Sequence, residues 1–582
     1  YASGKGGAIF NNLGTIGNIT GDFITNSAFY DGFGGAIYNA EGAIIGDITG
    51  DFIGNSVSDT ASPATYLSMP GGVINNAGTI GDITGDFIGN YVSTNYSYGG
   101  ALFNYTGTIN NITGDFIGNY ARSTQSSAQG GAILNGAAIG DITGKFIGNY
   151  AFASDSDEDR SSESVGGAIS NMGTIGDISG NFIGNYASAS STDGNALGGA
   201  IGNLVGNVQN LTGNFLNNHA ESANGKAYGG AIATTVGVDQ QTMKTSPFTI
   251  TSKDKEIFLS GNYVKSGAVK NYNAIHVVVI PDEMGFGDYI DLAFDTTGGG
   301  KIIINDSIDG TLLDLDSGII TDDRSKQYKL AFKGDGVLNA DGLTDQYVAI
   351  NNDVINAGAV TVERTTLRFG AYQHEDKTAN NWDGKGGFWA TLNPDGTVNK
   401  DAPAVTTLSL NNAAFDIANT YMDTVNLKGW KASGDSYLHI DVDPDKMSAD
   451  MLNINGNVEG QTKVVVYASS ATDIRGKGSI AFAQSENDTT GNQDSFSIFR
   501  VYGSPYMYEV DYAQTEANKK QWGLTMGDAV NPDKDVKPNK PGLPDVPDID
   551  IPDINIPDFK PMPNGKRKVA PEVVAMGALP AA

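Results

Sequence analysis

A short motif, Gly-Gly-Ala-Ile, recurs along the first 240 residues and leaves few folds open to this chain. Successive copies, two of which end in Val-Ile or Ala-Leu, begin 28 to 37 residues apart. A self-similar unit of this length is typical of a solenoid, in which each repeat packs mainly on its two neighbours. The copies begin at Gly6, Gly34, Gly71, Gly99, Gly130, Gly166, Gly198 and Gly229.

Each repeat has a constant half and a variable half. The constant half runs through Gly-Thr-Ile-Gly-Asp-Ile-Thr to Phe-Ile-Gly-Asn, with 16 to 18 residues from the first Gly to the Phe. The larger length changes fall after this half, as a comparison of residues 27–33 with 150–165 illustrates. Gly accounts for 77 of 582 residues, which disfavours helix. We therefore predict an all-β fold, a right-handed parallel β-helix with three short strands per coil.

Aligned repeats give columns of identical residues, which we predict to be structural ladders. Stacked amides can hydrogen-bond along the axis, and stacked Phe rings can form the core. The first Asn column is Asn11, Asn39, Asn76, Asn104, Asn135, Asn171 and Asn203. The second is Asn26, Asn55, Asn90, Asn119, Asn149, Asn185 and Asn218. The Phe column is Phe23, Phe52, Phe87, Phe116, Phe146, Phe182 and Phe215.

Two acidic columns have two interpretations. One begins with Asp22, Asp51, Asp86 and Asp115, and the other includes Asp47, Asp82, Asp141 and Asp177. Stacked carboxylates repel one another unless they are solvated or bridged by a cation. They could bind Ca²⁺ weakly between coils or form a solvated turn face. Replacement by Lys145 and Asn181 in the first column favours the solvated face, so we predict no metal site.

Aromatic residues of the variable half are the candidates for partner contacts. One column could stack on sugar rings or form a structural ladder, and we favour the ladder: Tyr91, Tyr120, Tyr150, Tyr186 and His219. Four other tyrosines lie in the variable segments, where contact residues are common, and we predict them as possible contacts. They are Tyr66, Tyr96, Tyr98 and Tyr228.

The variable segments also predict a binding face. Because their neighbours in the repeat are constant, all of them leave the rod at the same corner and stack side by side. They are rich in Ser, Thr, Tyr and Asp, which suit adaptable polar contacts. The segments are 56–70, 91–98, 120–129, 150–165 and 186–197.

Charge and composition exclude several classes of function. Lys plus Arg is 36 and Asp plus Glu is 66, so the net charge is −30, and a nucleic-acid partner is excluded. The chain has no Cys, which excludes disulfides and thiolate chemistry. Its four His residues are far apart in sequence, so a multi-His metal site is not expected. We predict no catalytic residues and no cofactor.

Beyond the repeats, the pattern predicts four further regions. Repeat β-helix occupies 1–237, irregular coils follow over 238–405, and a C-terminal β-helix covers 406–530. A Pro-rich spacer spans 531–568, and 569–582 begins a different segment. Within the irregular coils, the turn signals Asp383-Gly384 and Asp395-Gly396 predict a hairpin excursion over about 365–405.

The repeats of residues 1–237 resemble those of the chlamydial polymorphic membrane proteins and related Gram-negative autotransporter passengers, in which GGA followed by Ile, Leu or Val alternates with FxxN. Residues 406–469 resemble the late part of pertactin-like passengers, and Tyr508–Leu524, with Trp522, is similar to the last coils of such a passenger. The segment Val569-Ala570-Pro571-Glu572-Val573 is similar to the junction before a translocation barrel. The resemblance implies a type V secreted passenger, on the outer membrane surface or released, with its own barrel as a partner in the full-length chain. Commonly such a passenger is an adhesin.

The sequence therefore leaves two candidate functions. The first is a non-catalytic adhesin or self-associating surface protein, whose partner is a receptor or glycan on a host or bacterial cell, or another copy. The second is an enzyme that degrades polysaccharides on the same scaffold. Residues 1–240 hold only five cations, none of them suited to a lyase base among carboxylates except Lys145, so we favour the first function.

Overall fold

The computed structural model describes residues 4–29, 32–58, 71–154, 162–191, 193–239, 244–281, 288–313 and 320–538. Over this part of the chain the prediction of a parallel β-helix is confirmed: the fold is all-β, and long parallel sheets stack coil upon coil. The described residues contain one short 3₁₀ helix, Gln493–Ser495, and no helix long and apolar enough to cross a membrane.

Sheet 1 is built from the strands that follow each Gly-Gly pair, and it continues beyond the repeats. Its strands pair in register, Ile9 beside Ile37 and Asn11 beside Asn39. They are Ile9–Asn11, Ile37–Asn39, Ile74–Asn76, Leu102–Asn104, Ile133–Asn135, Ile169–Asn171, Ile201–Asn203, Ile232–Thr234, Val269–Val279, Ser307–Leu312, Asp353–Ile355 and Gly387–Trp389.

Sheet 2 carries the Thr-Ile and Ile-Thr pairs of the constant half. Its strands are Thr15–Ile16, Ile19–Thr20, Ile44–Ile45, Ile48–Thr49, Thr79–Ile80, Ile83–Thr84, Thr108–Ile109, Ile112–Thr113, Ala138–Ile139, Ile142–Thr143, Thr174–Ser179, Asn207–Thr212, Phe248–Thr251, Leu292–Asp295, Tyr328–Lys333, Ala357–Glu363, Thr407–Asn411, Gly429–Ser433 and Val458–Glu459.

Sheet 3 carries the Phe column and also runs on past the repeats. Its strands are Phe23–Ile24, Phe52–Ile53, Phe87–Ile88, Phe116–Ile117, Phe146–Ile147, Phe182–Ile183, Phe215–Leu216, Glu256–Ser260, Lys301–Ile304, Tyr347–Ile350, Thr366–Phe369, Ala414–Asp416, Tyr437–Asp443, Thr462–Ala468 and Phe496–Tyr502. The short strand Ser448–Ala449 pairs antiparallel with Tyr437–Asp443.

Sheets 1, 2 and 3 enclose one continuous hydrophobic core. In a single coil, Ile37, Ile45, Ile48 and Phe52 all point into it and are almost completely buried. The rings of the Phe column stack with centroids 4.6 to 4.9 Å apart and within 4° of parallel. This spacing is the distance between neighbouring strands, so the core repeats with the backbone.

Glycine is required where the backbone comes close to other backbone, either between coils or within the turn of one coil. Gly85 has a φ of +152°, and a Cβ there would lie 2.0 Å from the carbonyl oxygen of Gly50 in the preceding coil. Gly34 of the Gly-Gly pair has a φ of +71°, and its Cβ would lie 2.1 Å from the carbonyl oxygen of Ile37. Any side chain at these positions would clash with backbone, which explains why both glycines recur.

The variable half of the repeat contains two strands, so the prediction of three strands per coil is wrong. Small inward residues alternate with polar ones there, and this alternation was the signal of a half-buried strand. Sheet 4 comprises Ser27–Phe29, Ser56–Ser58, Tyr91–Thr94, Tyr120–Ser123, Tyr150–Ala153, Tyr186–Ala189, His219–Ser222 and Tyr263–Ser266. Sheet 5 comprises Ser97–Tyr98, Ala128–Gln129, Ser164–Val165, Ala196–Leu197 and Ala227–Tyr228.

The last part of the described chain ends in antiparallel pairing. Sheet 6 starts with three parallel strands and ends with a long hairpin: Thr424–Leu427, Met451–Ile454, Ile480–Ser485, Lys519–Val530 and Tyr506–Glu516. The resemblance led us to expect coils over 508–524, and this expectation is wrong. A second small hairpin, Gly237–Asp239 with Lys244–Ser246, follows the last repeat. The Pro-rich spacer beyond residue 538 and the segment 569–582 lie outside the described residues.

The predicted hairpin excursion is present only in part. Residues 370–405, which we call the side arm, contain two antiparallel bridges, Ala371 with Lys385 and Leu392 with Val398. Between these bridges the chain returns to the rod, because Gly387–Trp389 pairs in parallel with Asp353–Ile355 in sheet 1. The arm is thus two turns on either side of one regular coil strand.

Candidate functional site

Both Asn columns form continuous hydrogen-bonded ladders. In the first, each Nδ2 donates to the Oδ1 of the next coil at 2.8 to 3.0 Å, and the ladder ends on the Thr234 hydroxyl. In the second, the side-chain and backbone N–H groups donate to the next Oδ1. That ladder extends through Asn262 to the carboxyl of Asp306, which accepts from Asn262 and which sequence reasoning missed. These columns stabilise the rod, because the amide groups of their internal members are engaged with the neighbouring coils.

The acidic columns bind backbone of the neighbouring coil. The backbone N–H of Asp51 donates to Asp22 Oδ1 at 3.0 Å, and the N–H of Asp86 donates to Asp51 Oδ1 at 2.9 Å. The Asp47 column has the same arrangement. Asn can accept the same bond, which accounts for the exchange of Asp and Asn in these columns. In the described residues, no group of three or more His, Cys, Asp or Glu side chains is placed to hold a metal ion.

The aromatic column of sheet 4 is a stacked ladder. Its rings lie 4.8 to 5.0 Å apart from Tyr91 to Tyr263, so each internal ring has both faces covered by neighbours. Lys270 Nζ lies 4.0 Å from the Tyr263 ring centroid and ends the stack. Burial raises the pKa of Tyr186 to about 12 and lowers that of His219 to about 4. Covered faces favour the structural interpretation over sugar stacking along this ladder.

The predicted contact tyrosines have different environments. Tyr66 lies outside the described residues, and Tyr96 is half-buried in the turn between sheets 4 and 5. Tyr98 is half-buried in a strand of sheet 5. Tyr228 is only 6% exposed, and its hydroxyl donates to the Ile320 carbonyl and to Asp322. Its predicted place in an open loop is wrong, because its strand packs onto sheet 1 and Ile320 covers it.

A large cleft, which we call the side cleft, lies beyond the repeats on the outer face of sheet 1. Its volume is about 1010 Å³, and it is open to solvent. Ile308 and Val354 point into the core, so their strand neighbours point out and form the floor. Floor residues are Asn273, Ser307, Asp309, Asp353 and Trp389. One wall is residues 226–228 with 322–324, and the other is the side arm.

The side arm is held against the rod by paired polar contacts. The backbone N–H of Tyr272 donates to Asn381 Oδ1 at 2.7 Å, and Asn381 Nδ2 donates to the Tyr272 carbonyl at 2.9 Å. Lys270 forms an ion pair with Asp376. The His374 ring stacks on Tyr272 with centroids 3.5 Å apart. Both sides of the cleft are therefore fixed before any ligand arrives.

Polar groups on the cleft floor are only partly satisfied. Asn273 Nδ2 donates to Ser307 Oγ at 3.2 Å and to Asp309 Oδ1 at 3.1 Å, while its buried Oδ1 has no hydrogen-bond partner. Arg324 Nε and Asn271 Oδ1, which also line the cleft, lack partners as well. A buried polar atom without a partner is costly, so these atoms indicate a place where a ligand or water would bind.

Two carboxyls of the floor differ in charge state. Burial raises the pKa of Asp353 to about 7, although the Trp389 indole N–H donates to it at 2.7 Å. Burial also acts to raise the pKa of Asp309, but His276 and Arg324 outweigh it and hold that pKa below its usual value. One floor carboxyl is therefore ionised near neutral pH, and the other is poised to exchange a proton.

His276 links Asp309 to a hydroxyl in the order found in hydrolase triads. His276 Nδ1 lies 2.8 Å from Asp309 Oδ1, and Nε2 lies 3.0 Å from Thr311 Oγ1. A nucleophile needs access to its substrate, but neither His276 nor Thr311 has any exposed surface. This arrangement favours a buried hydrogen-bond network that orients Asp309.

Sequence reasoning missed this cleft. Its floor comes from four strands whose spacing is irregular, so no column of identical residues marks it. Trp389 and the two turn signals of the side arm were the available signals, and neither identifies the strands beneath.

Comparisons with known proteins add no assignment. No protein-family model matches the chain, and no curated protein matches it. The fold itself defines the class: a parallel β-helix solenoid with stacked polar and aromatic ladders.

Proposed function

We propose that this protein is the passenger of an autotransporter, displayed on the outer membrane surface or secreted, and that it acts as a non-catalytic adhesin or self-associating surface protein. The observation that carries the proposal is the solenoid whose variable turns all occur at one corner. In the described part of the chain these turns connect sheet 4 to sheet 5 in coil after coil: residues 95–96, 124–127, 154, 162–163, 190–191, 193–195 and 223–226.

Export is consistent with how the rod is built. Each coil pairs with its neighbours through backbone and Asn ladders, so a chain emerging from a pore can fold coil by coil without distant partners. Without Cys, no disulfide loop can obstruct passage through the pore. A net charge of −30 keeps an elongated rod soluble.

Repetition would compensate for weak individual contacts. Neighbouring coils place their turns about one strand spacing apart, so a cell surface or a second rod could engage several at once. Each turn offers small polar side chains on a rigid scaffold, a composition suited to adaptable contacts.

The test replaces the exposed residues of these turns by Gly and Ser at constant length. The strands of sheet 5 and the buried pair Ser162–Ser191, whose hydroxyls are 2.7 Å apart, stay unchanged because they are structural. A matched control changes the exposed Thr84, Thr113 and Thr143 of sheet 2 to Ser. Loss of cell adhesion or self-association in the turn variant alone supports the proposal. Equal adhesion of a folded turn variant contradicts the role of this face.

One observation in the side cleft favours the alternative function, an enzyme that degrades polysaccharides. Asp353, with a pKa raised to about 7, has the property required of a general acid in a polysaccharide-cleaving site. Incubation of the protein with neutral and acidic polysaccharides tests this function. Release of new reducing ends by the parent, and its loss in Asp353→Asn, would establish the enzyme.

A further inference from the structure

The side cleft combines unsatisfied donors and acceptors with an aromatic surface. Asn273 Oδ1 is an unpartnered acceptor on a residue that is only 4% exposed, and Arg324 Nε is an unpartnered donor. Both atoms are covered by neighbouring protein atoms, so a hydroxyl-rich ligand, which both donates and accepts, can satisfy them after a rotation of these two side chains toward the cleft. The volume, about 1010 Å³, is at the upper end of the roughly 300–1,000 Å³ usual for small-ligand sites and suits a chain of several rings.

Trp389 is held in a fixed orientation on the cleft floor. Its indole N–H donates to Asp353 at 2.7 Å, and its ring lies against Gly387, where a Cβ would come within 3.0 Å of Nε1. The side chain remains half-buried, so part of the ring faces the cleft. A fixed, partly exposed indole is a suitable platform for the apolar face of a sugar ring.

The charges of the cleft favour a neutral ligand. Three of the four cations of the lining are paired: Lys226 Nζ lies 2.8 Å from Asp322, Arg324 lies 3.4 Å from Asp309, and Lys385 lies 3.7 Å from Asp423. The fourth, Lys400, is exposed and acts to lower the pKa of Asp353. Because the lining holds five Asp residues against these four cations, an anionic polymer would gain little and would be repelled by the net charge of −30.

An extended peptide fits this floor poorly. Peptides that add to a β-sheet pair with the free edge of a strand. The floor here is the face of sheet 1, and its central strands already pair on both sides: Ser307–Leu312 lies between Val269–Val279 and Asp353–Ile355, which in turn pairs with Gly387–Trp389. Side chains alone are available to a ligand, as they are in carbohydrate recognition.

We propose that the side cleft binds a neutral oligosaccharide, with Trp389 stacking on a sugar ring and Asn273 and Arg324 hydrogen-bonding its hydroxyls. This inference rests on the proposed adhesive function for its biological role, and it adds a specific contact in the cleft to the contacts proposed for the turns. The ligand class is set by the unpartnered polar atoms, the fixed indole and the paired cations.

The experiment measures binding of defined hexasaccharides to the whole chain by saturation-transfer NMR and calorimetry. The probes are maltohexaose, cellohexaose, mannohexaose and chitohexaose, with hexagalacturonate as the anionic counterpart. Trp389→Ala and Asn273→Ala should each weaken binding about tenfold. Asn273→Ser and Trp389→Phe provide milder changes if either Ala variant melts early.

Matched control variants distinguish a loss of binding at the cleft from a general effect of substitution on the protein. Trp382→Ala removes a half-buried tryptophan of the side arm that does not line the cleft, and Asn110→Ala removes an exposed amide of the repeats. We expect at least one neutral hexasaccharide to bind the parent and both controls equally. Absence of binding by all four, equal binding by the cleft variants, or preference for hexagalacturonate would overturn the inference.

Adhesion assays on the same proteins distinguish the two proposals. If the parent adheres to cells but binds no neutral hexasaccharide, the cleft inference fails and the adhesive function stands. If a hexasaccharide binds through Trp389 and Asn273 but the parent neither adheres nor self-associates, the cleft inference stands and the adhesive function fails.

Discussion

Tyr98 and Tyr228 occupy opposite ends of one column in sheet 5, and the ring of each packs against an aromatic ring of sheet 1. Tyr98 and Phe103 have centroids 5.7 Å apart, and Tyr228 and His276 have centroids 4.6 Å apart. Between them the column is Gln129, Val165 and Leu197, each in register with the next. Aromatic contacts at both ends of this column therefore hold sheet 5 against sheet 1. The end at Tyr228 borders the side cleft.

The ladders predict large, local losses of stability. Phe116 is fully buried between Phe87 and Phe146, so Phe116→Ala should cost about 3–5 kcal/mol through lost contacts and a cavity. Asn119→Ala removes a donor to Asn149 and an acceptor for Asn90, at a cost of about 1–3 kcal/mol. Urea unfolding measures both, with Thr113→Ala on the exposed face as the control. Midpoints equal to that control would contradict the ladder.

The parts of the fold that could be predicted from the sequence are those in which the same residues recur in every repeat. The Asn and Phe columns could be aligned because every coil of 1–237 has the same constant half, and residues such as Phe116 then required no knowledge of the fold. Sheets 4 and 5 were missed because their residues vary, although small inward residues such as Val92, Ala121 and Ala151 occur at one position in successive coils.

The candidate site could not be predicted for a related reason. Asn273, Asp309 and Asp353 become neighbours only because the coils beyond the repeats stack on one another, and their spacing is irregular. The arm that covers them was anticipated from Asp383-Gly384 and Asp395-Gly396, but the return of Gly387–Trp389 to sheet 1 depends on pairing with Asp353–Ile355. Such contacts between distant segments leave no local pattern.

The acidic columns predict that Asn, but not Ala, can replace Asp. Asp86 Oδ1 accepts the backbone N–H of Asp115 at 2.8 Å, a bond that Asp86→Asn can keep. Asp86→Ala leaves that N–H to water and should cost about 0.5–1.5 kcal/mol. Thermal melts of the three proteins with Ca²⁺ and with EDTA test this. A Ca²⁺-dependent rise in the melting temperature of the parent, absent from Asp86→Asn, would favour the calcium interpretation instead.

The end hairpin predicts a stable C-terminal unit. Trp522 is fully buried, packs at 5.2 Å from the Phe496 ring, and donates its indole N–H to the Asn492 carbonyl at 2.9 Å. Trp522→Ala should cost about 3–5 kcal/mol and expose 480–530 to protease before the repeats. Limited proteolysis with mass spectrometry measures the order of cleavage, and the half-buried Trp382→Ala is the control. If protease cleaves residues 1–240 of Trp522→Ala before it cleaves 480–530, the prediction of a stable C-terminal unit is contradicted.

The raised pKa of Asp353 leads us to expect that the free energy of unfolding decreases as pH rises toward 7. Burial raises its pKa to about 7, so between its usual value and pH 7 the folded chain holds a proton that the unfolded chain has released. Stability should therefore fall as pH rises across this interval, because the unfolded state binds fewer protons there, and should change no further above it. Asp353→Asn cannot ionise and should lose this part of the pH dependence, while the exposed Asp254→Asn should retain it. Urea unfolding of the three proteins at pH 5, 6, 7 and 8 measures the difference. If the curves of the parent and Asp353→Asn stay parallel from pH 5 to 7, Asp353 is ionised throughout and the cleft floor carries two negative charges rather than one.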